Sequence, residues 1–156
     1  MISLFGIMSI IVLFFSIASL VLHMKILILR GSADDSFTKV EDEVRKLIDF
    51  YYSVGIGHED GWELCMLCEE ADANHAKEVI KALTKIEHAC ARLKVSPDAT
   101  ERITAYKREI TNLGDEYNKL ITKYNSFINK PPGSLMAAVV GLKREKHVKI
   151  QQLQNP

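Results

Sequence analysis

The sequence is poor in proline, in cysteine and in net charge, and each shortage excludes a class of protein. Only 4 prolines occur in 156 residues, and three of them lie at or beyond Pro131, so long uninterrupted helices are possible before that point. The 3 cysteines are too few, and odd in number, for a framework of disulfide bonds. The formal net charge is zero, whereas nucleic-acid binding needs a strong basic excess, so we expect no nucleic-acid partner.

Charged side chains are also missing from the first 22 residues. As a helix, this stretch reaches about 33 Å, which is enough to cross a hydrocarbon core of about 30 Å. We predict a transmembrane anchor helix over residues 1–29, with the Lys25 ammonium reaching the membrane interface. A cleaved signal peptide is the alternative, but no Lys or Arg precedes the apolar run, and the run is longer than a typical signal-peptide core.

The charges that flank this segment predict its orientation. Lys25 and Arg30 follow the apolar run, and no cation precedes it. The positive-inside rule then places the N-terminus outside and the C-terminal domain in the cytoplasm. We therefore expect a single-pass protein of the cell (inner) membrane, and reduced cysteines fit a cytosolic domain.

Apolar residues at helical spacing continue through most of the remaining chain, and we predict a helical bundle domain over residues 34–150. A frayed tail, 151–156, is expected to follow it. Gly31 and Ser32 are expected to break or soften the first helix, because glycine weakens a helix interior. A new amphipathic helix would begin near Asp34.

Three soluble helices are expected. The first ends near Gly55, and the second runs from near Glu59 to about Lys94 with an apolar stripe along its whole length. The stripe residues of these two helices are Val40, Val44, Leu47, Ile48 and Tyr51, then Leu64, Cys68, Ala71, His75, Val79, Leu83, Ile86, Cys90 and Leu93.

The third helix has the most regular pattern, because its apolar residues repeat every three or four positions in a heptad seam. Ser96 is its predicted N-cap, with Pro97 at the first helical position. Its seam consists of Ala99, Ile103, Tyr106, Ile110, Leu113, Tyr117, Leu120, Tyr124 and Phe127.

The fold class that follows is all-α: an N-terminal transmembrane helix and then an antiparallel bundle of three to four long helices. The helices are expected to be antiparallel because the turns between them are short. The seam is compatible with closure inside one chain or between chains of a homo-oligomer. A short apolar run, Ser134 to Val140, is too short to span a membrane and is expected to fold back on the bundle or rest at the membrane surface.

The segment from Pro97 to Ile150 resembles the LemA family of bacterial membrane proteins. The residues that carry the resemblance are the pairs Tyr117-Asn118 and Tyr124-Asn125, followed by Phe127, Ile128, Pro132, Leu135, Met136, Ala137, Ala138 and the run Val140-Gly141-Leu142-Lys143. Leu142 stands where the family commonly has an aromatic residue. The resemblance implies a membrane-anchored antiparallel helical bundle of a divergent member, and it carries no enzyme active site to this chain.

Two candidate surfaces emerge from the same region. Tyr117, Asn118, Tyr124 and Asn125 repeat at a spacing of seven and therefore share one helix face. They are interpreted either as a partner-recognition patch or as seam tyrosines whose neighbouring asparagines bond other parts of the bundle. The basic tail residues are interpreted either as a lipid-facing patch or as a solvated helix end: Lys143, Arg144, Lys146 and Lys149.

Cys65 and Cys68 have the spacing of a metal-binding pair, with histidines nearby in the sequence. No second ligand pair accompanies them, and Cys68 lies on the predicted apolar stripe. We therefore favour core packing over a metal site and predict no cofactor. The acidic end of the second helix is interpreted as a solvated face rather than a divalent-cation site; its residues are Glu59, Asp60, Glu63, Glu69, Glu70 and Asp72.

Catalytic signatures such as a phosphate-binding loop, a dinucleotide-binding turn or a zinc-protease helix are absent from the sequence. The sequence therefore favours a non-enzymatic scaffold or adaptor that binds a protein partner at the membrane. A metal- or ligand-binding sensor that uses the cysteines is the alternative, and a membrane-organising protein is a weaker one.

Overall fold

The computed structural model describes residues 4–72 and 76–148, and within these ranges the protein is all-α, as predicted. Side chains are described from residue 6, apart from residues 72–81. The five helices of the described ranges are α1 (Leu4–Ile56), α2 (Trp62–Asp72), α3 (Ala76–Ala91), α4 (Pro97–Asn129) and α5 (Gly133–Val140).

The helices form two compact units. Unit one consists of Met1–Asp35 with Asn118–His147, and unit two consists of Ser36–Tyr117 with Val148–Pro156, as far as these ranges are described. The long helices α1 and α4 contribute residues to both units. Each unit has a buried apolar cluster of its own.

The expected break at Gly31 and Ser32 is wrong, because α1 continues through both residues. An isolated glycine costs a helix interior about 1 kcal/mol relative to alanine, which is small beside the burial of an apolar stripe. That stripe continues on both sides of the glycine, since Ile26, Ala33 and Val40 are all buried. Packing therefore outweighs the local preference.

The expectation of a single second helix is also wrong. Its residues form α2 and α3, which pack against each other. The helices are antiparallel, because Glu63 at the start of α2 lies 2.7 Å from Arg92 just after α3. No proline or glycine stands between Leu64 and Cys90, so the sequence gives no strong signal that the chain reverses between α2 and α3. His75 lies outside the described residues, and so does the side chain of Val79.

The core of unit two is built from the stripes that the sequence predicts. Phe37 lies 5.3 Å from Tyr117, and Phe50 lies 5.8 Å from Tyr106, between ring centroids. The earlier residue of α1 thus contacts the later residue of α4, and the later residue of α1 contacts the earlier residue of α4. These two segments are therefore antiparallel. The buried cluster contains Val40, Val44, Leu47, Ile48, Tyr51, Leu64, Cys68, Ala71, Leu83, Ile86, Ala89, Cys90 and Ile110.

The first turn of α4 has the predicted cap. Pro97 begins the helix, and the Ala99 N–H donates to the Ser96 Oγ at 3.2 Å. Farther along, the most deeply buried residues include Ile121 and Ile128, one position beyond the predicted Leu120 and Phe127, which are half-buried. The buried face of α4 is thus wider than a strict two-position seam, as in helices packed on several neighbours.

Unit one is made by the first part of α1, the end of α4 and α5. Its buried cluster joins Ile26 of α1, Tyr124 and Ile128 of α4, and Ala137 of α5. Beyond α5, Gly141 adopts a left-handed conformation with φ of 72°, and the Leu142 N–H donates to the Ala137 carbonyl at 2.9 Å. Glycine suits this position because a Cβ disfavours positive φ.

From Ile7 to Ile17, α1 is exposed on every side, and exposed apolar residues continue beside a partly covered face to Ile28. Its length and composition suit it to cross a membrane, a description that a signal sequence would also meet. Its exposed apolar residues are Ile7, Met8, Ile10, Ile11, Val12, Leu13, Phe14, Phe15, Ile17, Leu20, Val21, Met24, Leu27 and Ile28.

Replacing Gly31 with alanine should stabilise the protein, because a Cβ built there meets no atom within 4 Å and alanine is the better helix former. We expect Gly31→Ala to raise the free energy of unfolding by about 0.5–1 kcal/mol, measured by denaturant unfolding of the full chain in detergent micelles. Gly61→Ala is the contrasting control. Gly61 lies in the turn before α2, and a Cβ at this position would collide with the Gly55 carbonyl. A loss of stability in Gly31→Ala would contradict a continuous α1.

Candidate partner and lipid surfaces

The two tyrosines of the predicted recognition patch belong to the packed interior. Tyr117 is 8% exposed, and its ring packs on Phe37. Tyr124 is 2% exposed, and its hydroxyl donates to the Lys143 carbonyl at 3.3 Å. Burial raises the pKa of the Tyr124 hydroxyl above its ordinary value. The structure therefore places both rings away from a free surface.

Asn125 pairs with the chain's own backbone. Its Nδ2 donates to the Glu145 carbonyl at 2.8 Å, and its Oδ1 accepts from the Glu145 N–H at 3.0 Å. A carboxamide can replace a neighbouring peptide group in this way, because it offers one donor and one acceptor side by side. Asn118, seven residues earlier, is half-buried.

Residues 142–147 form a non-helical segment, the C-terminal strap, that is hydrogen-bonded to one face of α4. Besides Asn125, two other residues of this face hold the strap. Asn129 Oδ1 accepts from Arg144 Nε at 2.9 Å, and the Thr122 hydroxyl lies 3.0 Å from His147 Nε2. These α4 residues follow one another at helical spacing, so a single face supplies the contacts.

The predicted basic tail lies in this strap. Lys143, Arg144 and Lys146 are exposed, whereas Lys149 lies outside the described residues. The interpretation as a solvated helix end is wrong, because the strap is not helical. Its two described lysines, Lys143 and Lys146, are therefore exposed on a non-helical backbone that is bonded to α4.

A second group of cations surrounds a cleft of about 550 Å³ in unit one. Lys25, Lys123 and Lys130 line it, together with Phe127 and the turn that follows α4. The Lys25 ammonium lies 5.1 Å from the centre of the Phe127 ring, within the range of a cation–π contact. The cleft offers positive charge beside apolar walls, a combination that suits anionic headgroups.

The cysteines are placed for packing. Cys68 and Cys90 are buried, while Cys65 is half-buried and its thiol lies 3.8 Å from the Tyr52 carbonyl. Burial, and secondarily the Cys65 thiol, raises the pKa of the Cys68 thiol to about 12. Metal ions bind the thiolate, so this environment opposes coordination. Among the described residues, no group of three or more His, Cys, Asp or Glu side chains is arranged to hold a metal ion.

Three exposed apolar residues lie at the end of α1 and in the first turns of α2, and sequence reasoning missed them. Ile56, Trp62 and Met66, here called the tryptophan patch, are 68%, 68% and 60% exposed. Trp62 is the single tryptophan of the chain. The sequence did contain a signal for this patch. Trp62 and Met66 are large and apolar, yet they lie outside the apolar stripe of α2 that is buried.

Charged residues of both signs lie near Trp62. A cleft of about 790 Å³ that Trp62 lines also has Glu59, Asp60, Glu63 and Lys94 in its wall. Arg92, also in its wall, pairs with Glu63 at 2.7 Å, so one acidic charge is compensated within the chain. Apolar anchors with a charged rim are typical of protein interfaces, in which tryptophan is enriched.

Comparison of the chain with known protein families, with curated proteins and with solved structures finds no match. The resemblance to the LemA family therefore stays a prediction. Over residues 4–72 and 76–148, the fold defines the class of this protein as a helical protein with one candidate membrane-spanning helix.

Removing the Asn125 side chain should loosen the strap. We expect Asn125→Ala to speed hydrogen exchange of the Glu145 amide and to lower the free energy of unfolding by about 1–2 kcal/mol, because two hydrogen bonds are lost. Asn125→Asp is a second variant, since it keeps an acceptor for the Glu145 N–H but turns a carboxylate oxygen toward the Glu145 carbonyl in place of the donor. Unchanged exchange in Asn125→Ala would show that these bonds do not hold the strap.

Stability should fall as the pH rises above the ordinary thiol pKa of 9.0. Burial keeps the Cys68 thiol neutral in the folded protein up to about 12, whereas the unfolded chain loses this proton earlier. Between these values the unfolded state is favoured progressively, by up to about 1.4 kcal/mol per pH unit. Denaturant unfolding across this range should show a shallower decline for Cys68→Ala than for the wild type. Equal slopes would contradict a buried neutral thiol.

Proposed function

We propose that this protein is a non-enzymatic membrane-anchored adaptor that presents the tryptophan patch to a protein partner. The observation that carries the proposal is the exposure of Trp62 and its apolar neighbours on a well-packed helical hairpin. A rigid support lowers the entropic cost of ordering an interface, so a small patch can bind with useful affinity.

The proposed anchor is the first part of α1. Between Ile7 and Ile17 its apolar side chains are exposed around the whole helix, a distribution that water disfavours and hydrocarbon accommodates. Five cations belong to unit one, which contains the end of this apolar stretch: Lys25, Arg30, Lys130, Lys143 and Arg144. By the positive-inside rule this concentration of cations favours the cytoplasmic side of a cell membrane.

The proposed partner carries an apolar side chain flanked by lysine or arginine. The apolar residue would pack on Trp62 and Met66, and its cations would face Glu59 and Asp60 beside them. Opposite charges at the rim of an interface speed association and align the partner. Membrane anchoring would add to the affinity by raising the local concentration of both proteins at the bilayer.

The adaptor role is favoured over the sensor role by the state of the cysteines. Cys68 and Cys90 are buried among apolar residues of the unit-two core, and burial raises the pKa of both thiols. A sensor site would need thiolates that a metal or ligand can reach.

Photo-crosslinking in intact cells tests the adaptor role. A photo-reactive residue at Trp62 should capture one dominant protein, while one at Thr104, an exposed position of α4 in the same unit, should capture only background. A photo-reactive residue at Asn125 should crosslink within the chain, because Asn125 faces the strap.

Charge reversal then tests the chemistry of the partner. The double variant Glu59→Lys and Asp60→Lys should weaken capture at Trp62 by about tenfold, since two reversed charges cost about 1–2 kcal/mol. Glu101→Lys, an exposed position on α4, is the matched control and should leave capture unchanged. Equal background at Trp62 and Thr104 would overturn the proposal.

A further inference from the structure

We infer that α5 is a second membrane-seated element, which lies beside the anchor with its exposed apolar face among lipid acyl chains. The inference rests on the membrane-anchoring part of the proposed function and adds a lipid-contacting surface to it. It identifies the phospholipid bilayer as the occupant of a face of α5 that the chain itself leaves uncovered.

Packing fixes the level of α5 along α1. The Ser19 hydroxyl donates to the Met136 sulfur at 3.4 Å, and Ala137 shares a buried cluster with Ile26. Ser19 belongs to the uncharged stretch of α1, and the exposed apolar side chains of α1 continue past this level to Ile28. If the exposed part of α1 lies in hydrocarbon, α5 lies beside its final turns.

The face of α5 that turns away from α1 is apolar. Leu135 is 70% exposed, Val139 is 83% exposed and Val140 is 46% exposed. No residue of α5 carries a charge. An exposed helix face in water normally carries polar side chains, so this face is suited to the medium that surrounds the neighbouring face of α1.

The backbone of α5 is also suited to the edge of a bilayer. Its carbonyl end is closed by the Leu142 N–H, which donates to the Ala137 carbonyl, so fewer polar groups remain unsatisfied. Cations stand on both sides of the element, with Lys130 before it and Lys143 and Arg144 after it. Ammonium and guanidinium groups at these positions can reach lipid phosphates while the apolar residues between them are submerged.

Depth-dependent fluorescence quenching tests this arrangement in the full chain, reconstituted in phosphatidylcholine–phosphatidylglycerol vesicles. Trp62→Phe removes the single native tryptophan, and one tryptophan is then introduced by Val139→Trp. Two further variants are controls in the same unit: Phe14→Trp within the anchor, and Lys119→Trp at an exposed position of α4. The quenchers are lipids that carry bromine on the acyl chain, and aqueous acrylamide.

With α5 in the bilayer, Val139→Trp and Phe14→Trp should lose most of their emission to brominated lipid, whereas Lys119→Trp should lose emission only to acrylamide. Leu135→Trp should repeat the result for Val139→Trp and excludes an effect of one substitution. If Phe14→Trp is quenched by bromine but Val139→Trp and Leu135→Trp are not, the inference is overturned and the anchor stands. In that case, quenching of Val139→Trp and Leu135→Trp by acrylamide would indicate that the α5 face is exposed to water. Quenching by neither reagent would indicate that a second copy of the chain covers it. Absence of bromine quenching in Phe14→Trp would overturn the anchor itself and the inference with it.

Discussion

The burial of one apolar stripe along α1 is the constraint on which the rest of the structure depends. In the first described turns of α1 no apolar stripe is buried, and burial of one face begins near Ala18. Ile26 then anchors the cluster of unit one, and Val40, Leu47 and Tyr51 anchor that of unit two. Because an α-helix repeats every 3.6 residues, these positions share one face and leave the other faces to solvent or lipid.

The same constraint divides the surface of the protein by function. Where α1 is exposed all round, its residues are apolar, and the proposed partner of that surface is a bilayer. Where α1 is packed on one side, its solvent-facing residues include Asp42, Arg45 and Asp49, as expected for water. The exposed apolar residues Trp62 and Met66 depart from this division, and such departures mark interaction sites.

Besides packing in the core, α4 holds the non-helical strap by side-chain hydrogen bonds. Thr122, Asn125 and Asn129 use their side chains to hold the strap, while Tyr124 and Ile128 beside them fill the core. Polar groups that satisfy backbone atoms specify one arrangement of a segment that has no helical bonds of its own. In each tyrosine–asparagine pair, the tyrosine thus takes a packing position and the asparagine is its polar neighbour. In the second pair, the asparagine holds the strap.

The sequence alone determined the all-α class, the apolar helix, the cap at Ser96 and most of the core, because periodicity reports which side of a helix is buried. It misjudged Gly31 and the reversal between α2 and α3, because packing overrides a local preference and an apolar stripe can continue in phase from one helix to the next. Only the tertiary structure decided that Asn125 faces the strap, and that Trp62 and the α5 face are left uncovered. Each of these depends on residues distant in sequence, and periodicity carries no information about which distant segment covers a given face.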